Sequence, residues 1–450
     1  MTKLKYERPV IQKLNTGLLN KFGSSTEFLP KTEIDGVPVK RIIEKFGSPV
    51  FVFSERQIRE KYQDVYRTFS TRYPKVKFGW SYKTNYLNAI CDIFHQEGAW
   101  AEVVSGFEYD KALNNGVPGN QIIFNGPDKT EEELKKAIKN NSLIHIDHLD
   151  EFYMLKGIAE ALKTKPRVAI RVNMDTGIYP MWDRFGFNYE NGQAWDALNK
   201  IMTSEQFNLV GLHCHIGTFM LSPNAYKVAA TKLSDLFVQL KLKFGHLLEY
   251  IDLGGGLPSR NDLKEAYLPG KDLVPGVGEF AEAIASGILN SAIHPTELPL
   301  LIMENGRLMV DEAGYLLGTV IANKRLSTGR RATIMDFGVN TLFTSFWYKH
   351  KVTPAQEFSS FKEDMSLFGP LCMNIDVVRD SIILPPLNKG DQVVVQNVGA
   401  YNVTQWMQFI TLRPNVVLID LKGNLHLIRE AETLEDITRK ERVPDHLKEI

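Results

Sequence analysis

The chain has 450 residues, 44% hydrophobic and 24% charged, with 53 basic residues against 53 acidic ones. That length exceeds one ordinary domain and suits about two, and the composition is that of a water-soluble globular protein. A zero formal charge removes the electrostatic reason to expect nucleic acid or an anionic membrane as partner, which leaves small-molecule chemistry as the default.

The opening MTKLKYERPVIQKLN has no apolar core of signal-peptide length, and no later apolar run approaches a membrane span. Cys91, Cys214 and Cys372 are far apart and make no metal-ligand spacing. No disulfide framework is expected, and the location read from this usage is a reducing, cytoplasmic one.

Residues 1–50 read as an N-terminal segment that partly joins a later β domain. From 51 to 310, short apolar strands alternate with longer amphipathic stretches: PVFVF, KFGWSY, AEVVS, QIIFN, LIHID, RVAIRVN, LVGLHCHIG, YIDLGGG and LLIMENG, with helical patterns such as EEELKKAIKN between them. Repeated units of this kind imply parallel pairing, and their number predicts an α/β fold built on a closed (β/α)8 TIM-like barrel. From 311 to 450 the texture changes. LLGTVIANKR, RATIMDFGV, DQVVVQNVG, NVVLIDLKG and LHLIRE are rich in Val, Ile and Thr and joined by short polar turns, which predicts a mostly antiparallel β domain. The tail AETLEDITRKERVPDHLKEI reads as a helix and an exposed end.

If the middle is a barrel, residues at strand C-terminal ends meet at one mouth. In KFGWSYK, period-two alternation places Phe78, Trp80 and Tyr82 on one face and the small Gly79 and Ser81, with Lys83, on the other. The ordinary explanation of Lys83 is a strand end reaching solvent. In GLHCHIGT, His213 and His215 share a face; a structural pair is the ordinary reading, and a shared metal ion lacks a third local ligand, so no metal is expected. Gly254, Gly255 and Gly256 follow a strand in IDLGGGLP, where they serve either a tight turn or the close approach of backbone N–H groups to an anion. Glu304 ends the strand of LLIMENGRL with Gly306 and Arg307 close behind, as a local ion pair or as part of a site. Cys372 follows a Gly-Pro turn, a place where a cysteine is usually an inert small hydrophobe.

The order of these signals along the chain is more specific than any of them. Lysine after a strand, HxHIG[ST], GGG, ExGR, GPxC and GAY at 399–401, together with AEVVSGFE, IRVN and FITLRPNVVLI, resembles the fold-type III pyridoxal-phosphate decarboxylases, the group that contains diaminopimelate and ornithine decarboxylases. The resemblance runs from about residue 35 to the C-terminus and implies the alanine racemase-like pairing of barrel and β domain. It implies pyridoxal phosphate as cofactor, with Lys83 as the Schiff-base lysine, Glu304 facing the pyridine nitrogen and His215 stacked on the ring. The phosphate would lie among Gly254, Gly255, Gly256, Thr218, Gly306, Arg307 and Tyr401. It also implies a homodimer in which Cys372 of the neighbouring subunit returns a proton to the α-carbon.

Several positions depart from the family pattern. Met373 stands where an acid after the GPxC cysteine usually grips a distal amine, with Asn374 or Asp376 as conceivable replacements. Thr344 stands where diaminopimelate decarboxylases carry an arginine for the distal carboxylate, although Tyr348 is retained. Asn305 replaces a usual proline and Glu102 a usual aspartate. With Phe343, Phe346, Trp347 and Met373 nearby in sequence, these departures lead to the expectation of a decarboxylase for an amino acid or derivative other than free diaminopimelate, with an N-acylated or carrier-linked substrate in view. The alternatives are diaminopimelate decarboxylase proper, an amino-acid racemase on the same fold, and a non-enzymatic, cofactor-binding or regulatory homologue. Racemases of this fold usually place an arginine beside the pyridine nitrogen, so Glu304 favours decarboxylation.

Overall fold

A computed structural model describes residues 29–358 and 361–448, and its chain divides into two compact units. The first comprises Ile58–Ser259 and Asp272–Met309. Its eight parallel strands are β1 (Val76–Ser81), β2 (Trp100–Val103), β3 (Ile122–Phe124), β4 (Leu143–Ile146), β5 (Arg167–Asn173), β6 (Asn208–His213), β7 (Tyr250–Asp252) and β8 (Leu300–Met303). Each pairs with the next, and β8 returns to β1 with Leu301 opposite Val76, so the sheet closes on itself. Closure brings all eight C-terminal ends to one mouth, with the short Phe187–Asn188 strand added in parallel to the end of β5.

The crossover helices carry the expected start signals. Glu131–Lys139 opens on a reciprocal capping box between Thr130 and Glu133, and Gly106–Asn114 opens on the Ser105 hydroxyl. In β1 the predicted alternation holds: Phe78 packs edge-on against Tyr62, Tyr66 and Phe69, and Trp80 stacks on Phe94 at 3.8 Å. On the opposite face, a Cβ added to Gly79 would lie 3.5 Å from the Glu102 Cβ and 3.9 Å from the Glu304 Cγ. The small residues therefore clear space inside the barrel. The strand ends at Ser81, and Tyr82–Thr84 forms a single 3-10 turn that carries Lys83 beyond the ladder.

The second unit comprises Pro30–Gln57, Arg260–Lys271 and the chain from Val310 onward. Its central strand, Gly314–Arg325, pairs antiparallel with Val50–Ser54, Arg331–Met335 and Gln392–Gln396. Asn415–Ile419 pairs parallel with Val50–Ser54 and antiparallel with Leu425–Arg429, and Glu363–Phe368 lies between Arg331–Met335 and Val377–Leu384. Ile34, Val37, Val50, Val52, Leu317 and Val417 contribute to one buried cluster. Residues 1–28 of the N-terminal segment lie outside the described residues, while Glu33–Ile34 pairs with Val37–Pro38 in this unit.

One strand assignment needs correction. PVFVF, read as a barrel strand because an amphipathic helix follows it, belongs to the second sheet. All five residues of Val50–Ser54 are buried. A strand covered on both faces reads as a continuous apolar run in either kind of sheet, so periodicity cannot assign it. Without it, eight of the nine candidates remain, one for each barrel strand. Among the described residues no helix is long and apolar enough to cross a membrane.

Candidate active site

Lys83 Nζ lies 2.5 and 2.7 Å from the two carboxylate oxygens of Glu102, the last-turn neighbour on β2. The lysine side chain is 38% exposed and the glutamate 1%, so the ammonium reaches from the mouth onto a buried anion. Asn125, just after β3, extends the connection: its Nδ2 donates to Glu102 Oε1 at 3.1 Å and to Glu304 Oε1 at 2.5 Å. Glu304 is fixed by its backbone as well. Its N–H donates to the Gly254 carbonyl at 2.8 Å, and its carbonyl accepts the Ser81 hydroxyl at 3.1 Å.

The glycine triplet crosses this region under tight constraint. Gly254 and Gly256 have φ of +64° and +93°, a backbone region that favours glycine. A side chain on Gly255 would run into the Glu304 carbonyl oxygen, and one on Gly254 would approach His215 Nδ1 at 2.8 Å. The Gly255 N–H donates to His215 Nδ1 at 3.1 Å. Accepting there leaves the proton of the neutral ring on Nε2. Burial, with the nearby Arg171 charge second, lowers the His215 pKa to about 3.

Gly306 passes so close to Thr84 that any side chain would overlap its hydroxyl. Arg307 is buried, with its guanidinium 5.7 Å from the Phe219 ring centre. Thr218 is exposed in the loop after His215. The first unit thus holds Lys83, Glu102, Glu304, His215, Thr218, the glycine triplet, Gly306 and Arg307. His213 does not act with His215; its Nε2 lies 3.4 Å from Glu304 Oε2, inside the barrel.

The second unit holds the remaining predicted residues. Cys372 is exposed, Met373 half-buried, Tyr348 buried, and Tyr401 has a φ of +66°. The two Asp376 carboxylate oxygens accept the Val339 and Leu371 N–H groups, each at 2.8 Å, and a Cβ on Gly338 or Gly369 would collide with this carboxylate. Both oxygens thus hold backbone N–H groups of their own unit, which fixes the side chain on its loop. Thr344 is also committed: its hydroxyl donates to Asn402 Oδ1 at 2.9 Å and meets His350 Nε2 at 2.8 Å.

Residue-by-residue reading missed Asn125, Arg171, His145, Asp252 and Trp182. Arg171 lies 3.7 Å from Asp147 and stacks 4.4 Å over Phe185. Trp182 contacts His215 with ring centres 5.4 Å apart. Four of these residues sit on or at the end of a barrel strand, and polar residues within apolar runs were the available signal. Trp182 lies in a loop, where no periodicity marks it.

A glycine cradle, a lysine at the mouth, a carboxylate for a ring nitrogen and a neutral imidazole fit pyridoxal phosphate. The family model for the pyridoxal-binding domain of pyridoxal-dependent decarboxylases matches residues 55–311. The chain belongs to this family. It is 32% identical over 432 residues to the diaminopimelate decarboxylase of Methanocaldococcus jannaschii, covering 92% of this chain and 95% of that one. Identity to the diaminopimelate decarboxylase of Bacillus subtilis is 27% over 422 residues, covering 90% and 94%. The crystal structure of the M. jannaschii enzyme superposes with a TM-score of 0.85 at 32% identity, covering 92% of this chain and 96% of that one. As a family member the chain is a pyridoxal-phosphate-dependent carboxy-lyase with the barrel and β-domain fold expected from its motifs.

Proposed function

We propose that this decarboxylase removes an α-carboxylate from diaminopimelate or an amino acid of that class. The observation that carries the reading is the continuous line Lys83, Glu102, Asn125, Glu304 at one end of the barrel. It joins the amine that would hold the cofactor's aldehyde to the acid that would face its ring nitrogen. The choice of substrate is supported by relatives named diaminopimelate decarboxylase that match over nine-tenths of this chain.

When bound, pyridoxal phosphate supplies an aldehyde for amines and a ring that accepts the electron pair left by the departing carboxylate. Glu102 holds the Lys83 ammonium and is within reach to take its proton, so that Lys83 can act as a nucleophile. Glu304 keeps a proton on the ring nitrogen. His215, neutral and fixed by Gly255, offers a flat ring face and no charge. The glycine turn, Thr218, Gly306 and Arg307 would hold the phosphate, and on the family resemblance Cys372 of a neighbouring subunit would return a proton to the α-carbon.

Met373, in place of the acid for a distal amine, favours a second reading, a substrate whose distal amine is acylated; Thr344, in place of the arginine, favours one without the distal carboxylate. Methionine offers no charge, and the Thr344 hydroxyl is already used within its own unit. The test is carbon dioxide release and product mass from diaminopimelate, lysine, ornithine and their N-acyl derivatives. Rapid release from diaminopimelate supports the first reading. Release confined to acylated substrates replaces it with the second, and α-deuterium exchange without carbon dioxide refutes both. Mixing inactive Lys83→Ala and Cys372→Ala proteins should restore activity if subunits share sites.

A further inference from the structure

Asp252 ends β7 with 0% exposure, beside Glu304 at 4%. Its Oδ1 accepts the Gly254 N–H at 2.8 Å, while its Oδ2 has no hydrogen-bond donor. Candidate polar atoms of Asp252, Glu304, His213 and His145 all lie within 4.8 Å of one another. Two carboxylates this close in a closed interior do not both ionise without a cation. The groups around them are Glu102 on β2, Asn125 after β3, His145 on β4, Arg171 on β5, His213 on β6 with Cys214 just after it, and Tyr250 on β7. Arg171 is engaged with Asp147 and Phe185. His145 Nε2 bonds the Tyr250 hydroxyl at 2.8 Å, and burial holds both histidines neutral. Among the described residues no cationic side chain pairs with Asp252.

We propose that Asp252 is a positioning residue that stays a neutral acid, donating from Oδ2 to Glu304 and thereby keeping Glu304 the ionised member of the pair. Oδ1 meanwhile locks the first glycine of the cradle, so one side chain ties the ring-nitrogen acid to the phosphate turn. Burial, reinforced by the Glu304 charge, pushes the Asp252 carboxyl well above the usual carboxylate range. The inference rests on the reading of Glu304 as the acid facing the cofactor ring.

Asparagine reproduces both contacts, with an oxygen for the Gly254 N–H and an N–H for Glu304, and carries no proton to lose. Asp252→Ala loses both the hydrogen bond to Glu304 and the acceptor that holds the Gly254 N–H, so kcat should fall about 10- to 150-fold and the visible cofactor band should weaken. Asp252→Asn should recover most of that loss and restore the visible cofactor band. Independently of cofactor and substrate, the infrared spectrum of the cofactor-free protein should show a protonated-carboxyl band that Asp252→Asn removes. An asparagine variant as impaired as the alanine one, or a spectrum without that band, overturns the proposal. So does a stoichiometric divalent cation in the purified protein, because it would require Asp252 ionised. If wild-type protein binds no cofactor and releases no carbon dioxide, the functional reading fails while the infrared result still decides the state of Asp252.

Discussion

Asn125→Leu tests the connection between the Lys83–Glu102 pair and Glu304. The amide nitrogen has two hydrogens and uses one on each carboxylate, at 3.1 Å for Glu102 and 2.5 Å for Glu304. Leucine has the same branching and number of heavy atoms, so the space stays filled while both donors vanish. A hydrogen bond to a charged group contributes roughly 1.5–3 kcal/mol, and the loss of the stronger one alone predicts kcat/KM falling about 10- to 150-fold. Asn125→Asp should be worse at neutral pH, since it places a third carboxylate between two others. It should recover as pH falls, because a protonated aspartate is again a donor. The assay is carbon dioxide release across pH, with the visible cofactor band recorded on each sample. Asn125→Leu within about twofold of wild type would show that the amide bridge does not set the geometry of Glu304.

His215, with its pKa lowered to about 3, should contribute no ionisation to the rate profile between about pH 5 and 9. A limb of that profile removed by His215→Phe would refute its neutral role. Gly255→Ala drives a methyl into the Glu304 carbonyl. Overpacking typically costs about 1–3 kcal/mol, so cofactor affinity should drop about 5- to 150-fold by equilibrium titration, and unchanged affinity would remove Gly255 from the cradle. Glu108 is raised to about 7 by burial, against the Val104 N–H that it accepts. Because the folded pKa lies above the unfolded one, its stabilisation is full below about pH 4.5 and is lost as pH rises through 7. Glu108→Gln keeps the acceptor, and should gain up to about 3 kcal/mol on wild type between pH 5 and 8, read as a growing difference in Tm. A pH-independent difference would refute that assignment.

Which of these features were visible before the fold was known depends on how each residue meets its neighbours. Lys83, Glu304 and the glycine triplet follow apolar strands, so one sequence position reports both location and chemistry. Gly79 and Ser81 were legible as the empty inner face because alternation survives in a barrel strand. Val50–Ser54 was not assignable, since burial on both faces erases the alternation that distinguishes sheets. Asp376 looked available because its sequence position follows Cys372, whereas the loop turns its carboxylate onto backbone N–H groups. Asn125 and Asp252 act through partners over one hundred and fifty and fifty residues away, a relation that only barrel closure creates.

The charges inside the barrel follow one pattern. Glu102 is paired with Lys83 and Asp147 with Arg171, while Asp252 is assigned here as neutral. Glu304 differs: its nearest polar neighbours are Asn125, Asp252 and His213, and burial keeps that histidine uncharged. An ionised carboxylate in such a place is costly unless a cation arrives. On the proposed reading of Glu304, a protonated pyridine nitrogen would be that cation, and binding it would relieve the cost at the atom where the reaction needs positive charge. Asn125 donates to Glu304 and Asp252 is proposed to, neither carrying a charge, so Glu304 is oriented without a cationic partner among the described residues, which leaves the electrostatic preference for the cofactor. A lysine or arginine in either place would stabilise the empty barrel and weaken the electron-accepting ring that the decarboxylation depends on.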